Sequence, residues 1–209
     1  MFKKVLVLAP HPDDAEFGCG GTVARFLEEQ IQVYCAVFSA DKIALPPGYP
    51  EDVLKQELFN SMKVLGIPEE RLLMYNYKVR HFPANRQDIL DNLILLKNQF
   101  KPDLVMLPAL HDIHQDHITI AQEGIRAFKD STILGYEEPW NNLEFRHNCF
   151  IPLEERHLAK KLAAIKCYKS QAARYFNNED FLRSLARVRG TQIKSTYAEL
   201  FEVIRLIVK

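Results

Sequence analysis

Short apolar runs alternate with longer amphipathic stretches along the chain. The short runs are typical of buried strands, whereas the longer stretches repeat their apolar positions every three or four residues, as helices do. This alternation predicts an α/β fold, with a mostly parallel sheet and helices on both faces. The predicted strands are 5–9, 32–39, 72–75, 103–107 and 132–136. The predicted helices are 22–29, 51–65, 86–100, one within 118–128, and 153–169, while 179–208 is ambiguous between helix and strand.

Composition narrows the class of protein. No repeat, low-complexity tract or linker divides the sequence, so we expect one domain over residues 1–209. The hydrophobic fraction of 47% excludes a disordered chain. The 27 basic residues balance the 27 acidic ones, which gives no long-range attraction to nucleic acid. No run reaches the roughly 20 apolar residues of a transmembrane segment. We therefore expect a small-molecule partner, no nucleic acid and no membrane span.

Cysteine usage and the N-terminus indicate the compartment. The four cysteines are far apart and form no Cys-x-x-Cys pair, unlike those of a small secreted disulfide scaffold. The first residues are similar to a signal peptide, but the apolar run 5–9 is too short for its hydrophobic region. We expect a cytoplasmic protein with reduced thiols. The sequence leaves the oligomeric state open, and a homo-oligomer is compatible with it.

Two segments rich in histidine and aspartate follow predicted strands directly. Residues 10–14 (PHPDD) come after the strand 5–9, and residues 111–117 (HDIHQDH) come after the strand 103–107. In an open parallel sheet, ligands bind beyond the carboxyl ends of the strands. We therefore expect the two segments to meet at one edge of the sheet, although about a hundred residues separate them.

These residue types are suited to hydrolysis with a divalent metal ion. Two imidazoles and one carboxylate, with one open position for water, are a common catalytic zinc set. The ion lowers the pKa of bound water from about 15.7 to about 7. Of the adjacent Asp13 and Asp14, one can bind the metal while the other takes the proton of the water. His114 and Asp116 offer an acid with an orienting partner, so the natural reaction is hydrolysis of a carbonyl or amide.

Together with Gly18-Cys19-Gly20-Gly21-Thr22, the two segments resemble the motifs of the PIG-L (LmbE-like) family of metal-dependent N-acetylglucosamine deacetylases. The resemblance extends over nearly the whole chain, with weaker landmarks at Glu57, 168–171 (YKSQ), 198–199 and Phe201. It implies a Rossmann-like fold and hydrolysis of N-acetyl groups from amino sugars on nucleotide, lipid, inositol or malate carriers.

The same resemblance implies a role for each residue of the two motifs. His11, Asp14 and His117 would be the ligands of a metal ion, usually zinc and sometimes iron. Asp13 would be the general base. His114 would be the acid or the imidazole that stabilises the oxyanion, with Asp116 as its orienting partner.

Several positions depart from the family pattern. Glu16 follows Ala15, where a glutamate often comes directly after the Asp pair. Gln115 replaces a usual proline, Leu54 an expected arginine and Asp112 a tyrosine of some members. These departures put the substrate in question more than the reaction. We interpret His111 and Asp112 as a polar loop at the mouth of a cleft, and Asp116 is also suited to capping the helix that follows it.

Two other functions stay open at this point. One is a nucleotide-sugar-binding module without hydrolysis, which would bind nucleotide regardless of chelator. The other is a metal-dependent phosphoesterase that uses His111, Asp112 or Asp116 for a second ion.

Overall fold

The computed structural model describes residues 2–41, 45–146 and 148–208. In chain order the strands and longer helices are β1 (Lys4–Ala9), α1 (Asp14–Glu28), β2 (Gln32–Val37), α2 (Val53–Leu65), β3 (Leu72–Met74), α3 (Arg86–Phe100), β4 (Leu104–Pro108), α4 (Gln115–Ala127), β5 (Thr132–Tyr136), β6 (Cys149–Leu153), α5 (Glu155–Ile165), α6 (Glu179–Gln192) and β7 (Tyr197–Arg205). Short 3₁₀ turns lie at Glu69–Arg71, Phe82–Asn85 and Lys169–Gln171.

The strands form one sheet in the order β3-β2-β1-β4-β5-β7-β6. Strands β1 to β5 run parallel to one another, whereas β7 is antiparallel to both β5 and β6. The direction in which the chain adds strands reverses between β1 and β4, and open sheets bind ligands at such a reversal. The predicted mostly parallel α/β fold is confirmed.

The side chains of β1 alternate between two hydrophobic clusters, one on each face of the sheet. Helices cover both clusters. Val5 and Val7 pack on the face covered by α1 and α2, which contribute Val23 and Leu58 among others. Leu6 and Leu8 pack on the opposite face with residues of α3 and α4. Both faces of β1 are therefore buried up to its carboxyl end.

The start of α1 was predicted wrongly. The sequence predicted a helix over 22–29, with Gly18, Gly20 and Gly21 before it, but α1 begins at Asp14 and passes through these glycines with a kink at Cys19 (φ −147°). A Cβ at Gly18 would lie 2.3 Å from the Tyr136 ring, and one at Gly21 would lie 2.5 Å from Leu153. The glycines therefore allow the helix to lie close against the sheet.

The C-terminal elements also differ from the expectation. The predicted helix 153–169 is shorter, at Glu155–Ile165, and the sequence analysis missed β6 before it. Pro152 lies inside β6, which is an edge strand, where a missing N–H is tolerated. The ambiguous tail contains both α6 and β7. Among the described residues, no helix is long and apolar enough to cross a membrane.

Candidate metal centre and active-site cleft

The two polar segments meet at the carboxyl ends of the neighbouring strands β1 and β4, as predicted. Their side chains open into a cleft of about 340 Å³, the size of a small-molecule site. The cleft is lined by His11, Pro12, Asp13, Asp14, Phe17, Leu54, Val79, Arg80, His114, His117, Glu138, Trp140, Asn141, Gln171, Arg174 and Phe176.

Three atoms that could donate an electron pair to a metal ion form a nearly equilateral triangle, the donor triangle, at the base of this cleft. His11 Nδ1 and His117 Nε2 are 3.3 Å apart, and each also lies 3.3 Å from Asp14 Oδ2. Asp14 is the first residue of α1, and its Oδ2 accepts a hydrogen bond of 2.7 Å from the His11 backbone amide. The group is one of those able to hold a metal ion among the described residues.

The outer nitrogen of His11 is held by a carboxylate from the second segment. His11 Nε2 lies 3.0 Å from Asp116 Oδ2. Asp116 is fully buried and also accepts hydrogen bonds from the backbone amides of Arg80 (2.6 Å) and Phe82 (3.2 Å). The prediction that the Asp116 carboxylate orients His114 was therefore wrong in its partner, because this carboxylate bonds to His11. The contact between Asp116 and His114 is made by the Asp116 backbone amide.

A second carboxylate holds His117 in the same way. Asp112 Oδ2 lies 2.8 Å from His117 Nδ1, while Asp112 Oδ1 accepts a hydrogen bond of 2.7 Å from the His114 amide. Asp112 is buried, so its interpretation as a polar loop residue at the cleft mouth was wrong. His111 is exposed and is not among the residues that line the cleft.

Glu138 is a site residue that the sequence analysis missed. Its Oε2 lies 3.8 Å from His117 Nδ1, its side chain is buried, and it lines the cleft. It comes two residues after the end of β5, the strand next to β4. Its place beyond the carboxyl end of a predicted strand was the signal that could have found it.

The electrostatics of the triangle follow from these contacts. Burial by itself would lower the pKa of His11, but hydrogen bonds to Asp116 and Asp14 outweigh it, and the pKa lies above its ordinary value. For His117, burial is likewise outweighed by Asp14 and Glu138, and the pKa is raised well above its usual range. Burial alone would raise the pKa of Asp14, but the two histidines hold it far below its usual range. The cluster thus attracts positive charge, in the form of protons or of a cation.

Asp13 stands beside the triangle with a different partner. Its carboxylate is buried and lies 3.4 Å from Arg174 Nη1. Burial raises the pKa of Asp13 well above its ordinary value, although the Arg174 charge acts to lower it. Asp13 is therefore a carboxylate suited to accepting a proton inside the cleft.

His114 is a neutral imidazole in a fixed orientation. It is the N-cap of α4, and its Nδ1 accepts a hydrogen bond of 3.2 Å from the Asp116 amide. Burial and the neighbouring histidines lower the pKa of His114 to about 4. Because Nδ1 acts as the acceptor, the ring proton is on Nε2, and His114 is a hydrogen-bond donor at neutral pH.

One wall of the cleft is aromatic. Trp140 and Phe176 stack with ring centroids 4.1 Å apart, and Phe17 contacts both rings edge-on. Leu54, which takes the place of the expected arginine, is a buried part of the lining. These aromatic residues could not be predicted as part of the site, because no local motif marks them and only the tertiary fold brings them together.

The weaker landmarks of the sequence support the site rather than line it, apart from Gln171. Glu57 accepts hydrogen bonds from the backbone and the hydroxyl group of Ser170. Glu199 accepts hydrogen bonds from the Gly21 and Thr22 amides and pairs with buried Lys161 at 2.6 Å. Of the histidines outside the two segments, His157 belongs to the capping box of α5, and His147 lies outside the described residues.

Comparison with known proteins adds an independent finding. The protein family described as GlcNAc-PI de-N-acetylase (PIG-L) matches residues 6–128. The uncharacterized deacetylase YaiS of Escherichia coli (strain K12) is 30% identical over 174 residues, covering 80% of this chain and 91% of the relative. The diacetylchitobiose deacetylase of Thermococcus kodakarensis is 24% identical over 221 residues, covering 94% of this chain and 81% of the relative.

Solved structures confirm the fold but do not define the reaction. The 4-carboxy-2-hydroxymuconate hydratase GalB of Pseudomonas putida KT2440 superposes with a TM-score of 0.80 at 20% identity, covering 99% of this chain and 98% of that one. Its name shows that this fold also supports chemistry other than deacetylation, so the reaction has to be argued from the site.

Proposed function

The chain belongs to the PIG-L family and is a deacetylase, and on this basis we propose that it hydrolyses the N-acetyl group of an amino sugar or amino-sugar conjugate with a metal ion held by His11, Asp14 and His117. The observation that carries the proposal is the donor triangle with Asp13 and His114 beside it.

The geometry of the triangle fits such an ion. Zinc bonds of about 2.0–2.1 Å in a tetrahedral site place neighbouring ligand atoms about 3.3–3.4 Å apart. The three donor pairs are each 3.3 Å apart. Both histidines have a carboxylate on their other nitrogen, which is the usual support of metal-binding imidazoles. Two imidazoles and one carboxylate suit zinc and also ferrous iron, so the donor set alone does not choose between them.

The ion, when bound, supplies a water molecule of lowered pKa and polarises the amide carbonyl. We assign the other steps to side chains of this protein. Asp13 takes a proton from the attacking water and delivers it to the amine nitrogen as the C–N bond breaks, giving acetate and a free amine. The raised pKa of Asp13 suits both halves of this transfer.

His114 would act on the carbonyl oxygen of the amide rather than on the water. Its neutral Nε2–H donates a hydrogen bond to the carbonyl oxygen as negative charge develops there. A pKa of about 4 makes a neutral donor more suitable than the imidazolium of a general acid. Of the two roles that the sequence left open for His114, we therefore propose stabilisation of the oxyanion rather than proton donation as an acid.

The cleft also supports the proposed class of substrate. The aromatic wall of Trp140 and Phe176 offers an apolar surface, while Asn141 and Gln171 add neutral amides to the lining. Apolar surface with a few polar groups is the common composition of sites for small organic molecules.

The proposal is tested by the products released. Protein loaded with zinc, or anaerobically with ferrous iron, is incubated with N-acetylglucosamine, its 1-phosphate, diacetylchitobiose and a glycosidic conjugate. We expect acetate and free amine in equal amounts from at least one substrate, and neither from chelated protein. Absence of acetate from every substrate with the metal-loaded protein would contradict the proposal.

A further inference from the structure

The residue assigned as the base has an unusual backbone. Asp13 has φ 82° and ψ −26°, in the left-handed region that side chains other than glycine rarely adopt. Asp13 is also the residue before α1, and its carbonyl accepts a hydrogen bond of 2.9 Å from the Phe17 amide. Such a conformation persists only where the surrounding structure holds it in place.

A buried hydrogen-bonded group lies directly behind this turn. The Tyr168 hydroxyl group donates a hydrogen bond of 2.7 Å to Glu16 Oε1 in the first turn of α1. Ser61 of α2 donates its hydroxyl proton to the same oxygen. All three residues are buried, so water does not compete for these bonds.

Tyr168 also lies close enough to Asp13 for the Asp13 charge to act on its phenol. Burial raises the pKa of this phenol well above its usual range, and the charges of Glu16 and Asp13 add to the rise. The 3₁₀ turn that follows Tyr168 is also held in place, because Glu57 of α2 accepts hydrogen bonds of 2.9 Å and 2.5 Å from Ser170. The Glu16 carboxylate thus joins the first turn of α1 to Tyr168 and to Ser61 of α2.

This arrangement costs stability, which suggests that it has another purpose. Among the described residues, Glu16 Oε2 is a buried oxygen with no hydrogen-bond partner. A buried carboxylate that is only half satisfied is less favourable than an apolar side chain of similar size. An apolar residue would fill the position, but it could not accept the hydrogen bonds of Tyr168 and Ser61.

We propose that Tyr168, Glu16 and Ser61 are positioning residues that hold the first turn of α1 so that Asp13 keeps its left-handed conformation and its carboxylate stays in reach of the reacting water. This inference rests on the proposed function, because it assumes that Asp13 is the base. None of the three is among the residues that line the cleft, and all act through the backbone of the turn.

The central test is Tyr168→Phe, which removes the hydroxyl group and keeps the buried ring. We expect kcat to fall by about 10- to 100-fold, because displacement of a reacting group by about 1 Å can cost 10²-fold. KM and the metal content should remain as in the wild type. In a crystal structure of the variant, we expect the φ of Asp13 to leave the left-handed region or its carboxylate to be displaced.

Tyr136→Phe is the matched control. Tyr136 is also fully buried, and its hydroxyl group donates a hydrogen bond of 3.1 Å to the Leu8 carbonyl in the core. We expect this variant to lose thermal stability to a similar extent and to keep its kcat. Equal losses of kcat in the two variants would mean that deletion of any buried hydroxyl group has this effect, and the proposal would fail.

Glu16 separates geometry from charge. Glu16→Gln keeps an oxygen that accepts both hydrogen bonds, so we expect it to retain most of the kcat. Glu16→Ala removes the acceptor and should behave like Tyr168→Phe. An unchanged kcat and an unchanged Asp13 conformation in both Tyr168→Phe and Glu16→Ala would overturn the inference. If the wild type releases no acetate, the proposed function fails, whereas the Asp13 conformation in these crystals still tests the positioning role.

Discussion

The loop after β1 and the loop after β4 both reach the candidate metal centre, but they contribute differently. The first loop supplies Asp14 as a donor and Asp13 as the proposed base, from the start of a buried helix. The second loop supplies Asp112 and Asp116, whose carboxylates hold one histidine of each loop. The carboxylates of the first loop are thus assigned to the reaction and those of the second to orienting the histidines, so matching Asp→Asn substitutions in the two loops should differ in kind.

The largest effect on turnover is expected at Asp13. Asp13→Asn removes the proton acceptor but none of the three donor atoms, so metal content should stay at the wild-type level. We expect kcat to fall by about 10²- to 10⁴-fold, the usual contribution of a general base. Acetate release and elemental analysis measure the two quantities on one sample. Asp91→Asn, which changes an exposed acid on α3, is the control and should match the wild type. Near-normal turnover in Asp13→Asn would exclude Asp13 as the base.

Asp116→Asn should act through the metal instead. Its carboxylate receives His11 and two backbone amides, and an asparagine would turn an N–H group towards at least one of these donors. We expect the affinity for zinc to fall by about 10- to 100-fold, as for other groups that orient metal-binding histidines. Competition with a chromogenic chelator measures this affinity. If affinity is unchanged while turnover falls, Asp116 would be acting in catalysis rather than in orientation.

Asp112→Asn should have the same kind of effect but a smaller one. Its carboxylate accepts hydrogen bonds from two groups, His117 and the His114 amide, whereas that of Asp116 accepts them from three. We expect a loss of affinity near the lower end of the same range, about 10-fold. A loss larger than that of Asp116→Asn in the same titration would contradict the ranking of the two carboxylates.

The smallest effect is expected at Arg174, which lies outside both loops and acts to lower the pKa of Asp13. The Arg174 charge holds the pKa of Asp13 below the value that burial alone would give. The base works in its deprotonated form, so activity is present above its pKa and lost below it. Arg174→Gln raises that pKa, and the acid limb of the kcat profile should therefore move to higher pH, with little change on the plateau. Lys160→Gln, an exposed cation on α5, should leave the limb in place. A shift to lower pH in Arg174→Gln would contradict this account.

The meeting of the two motifs was predicted from the sequence, whereas the partners of individual carboxylates were not. His11, Asp13 and Asp14 form a continuous motif after an apolar run, and the sheet brings them to His114 and His117 as expected. Asp112 was misjudged because its burial depends on the loop around Asn142, with which it forms an isolated β-bridge. Glu138 follows a strand that was predicted correctly, but no histidine beside it in the sequence marks it as part of the site.

The same contrast between local sequence pattern and tertiary contact applies to the fold. The parallel strands were visible as apolar runs because both of their faces are buried. Strand β6 was missed because it is an edge strand, only partly buried and interrupted by Pro152. The true start of α1 was hidden because its glycines look like a turn, and only their contacts with Tyr136 and Leu153 show that they pack a helix against the sheet.

The central claim is that one ion is held between the two loops, and metal content tests it most directly. Elemental analysis is made on wild-type protein, His117→Ala and the matched control His111→Ala, which changes the exposed histidine of the same loop. We predict about one zinc or iron per chain in the wild type and in His111→Ala, and a loss of that metal in His117→Ala. No uptake of zinc or iron by the wild type, or equal content in all three proteins, would contradict the account.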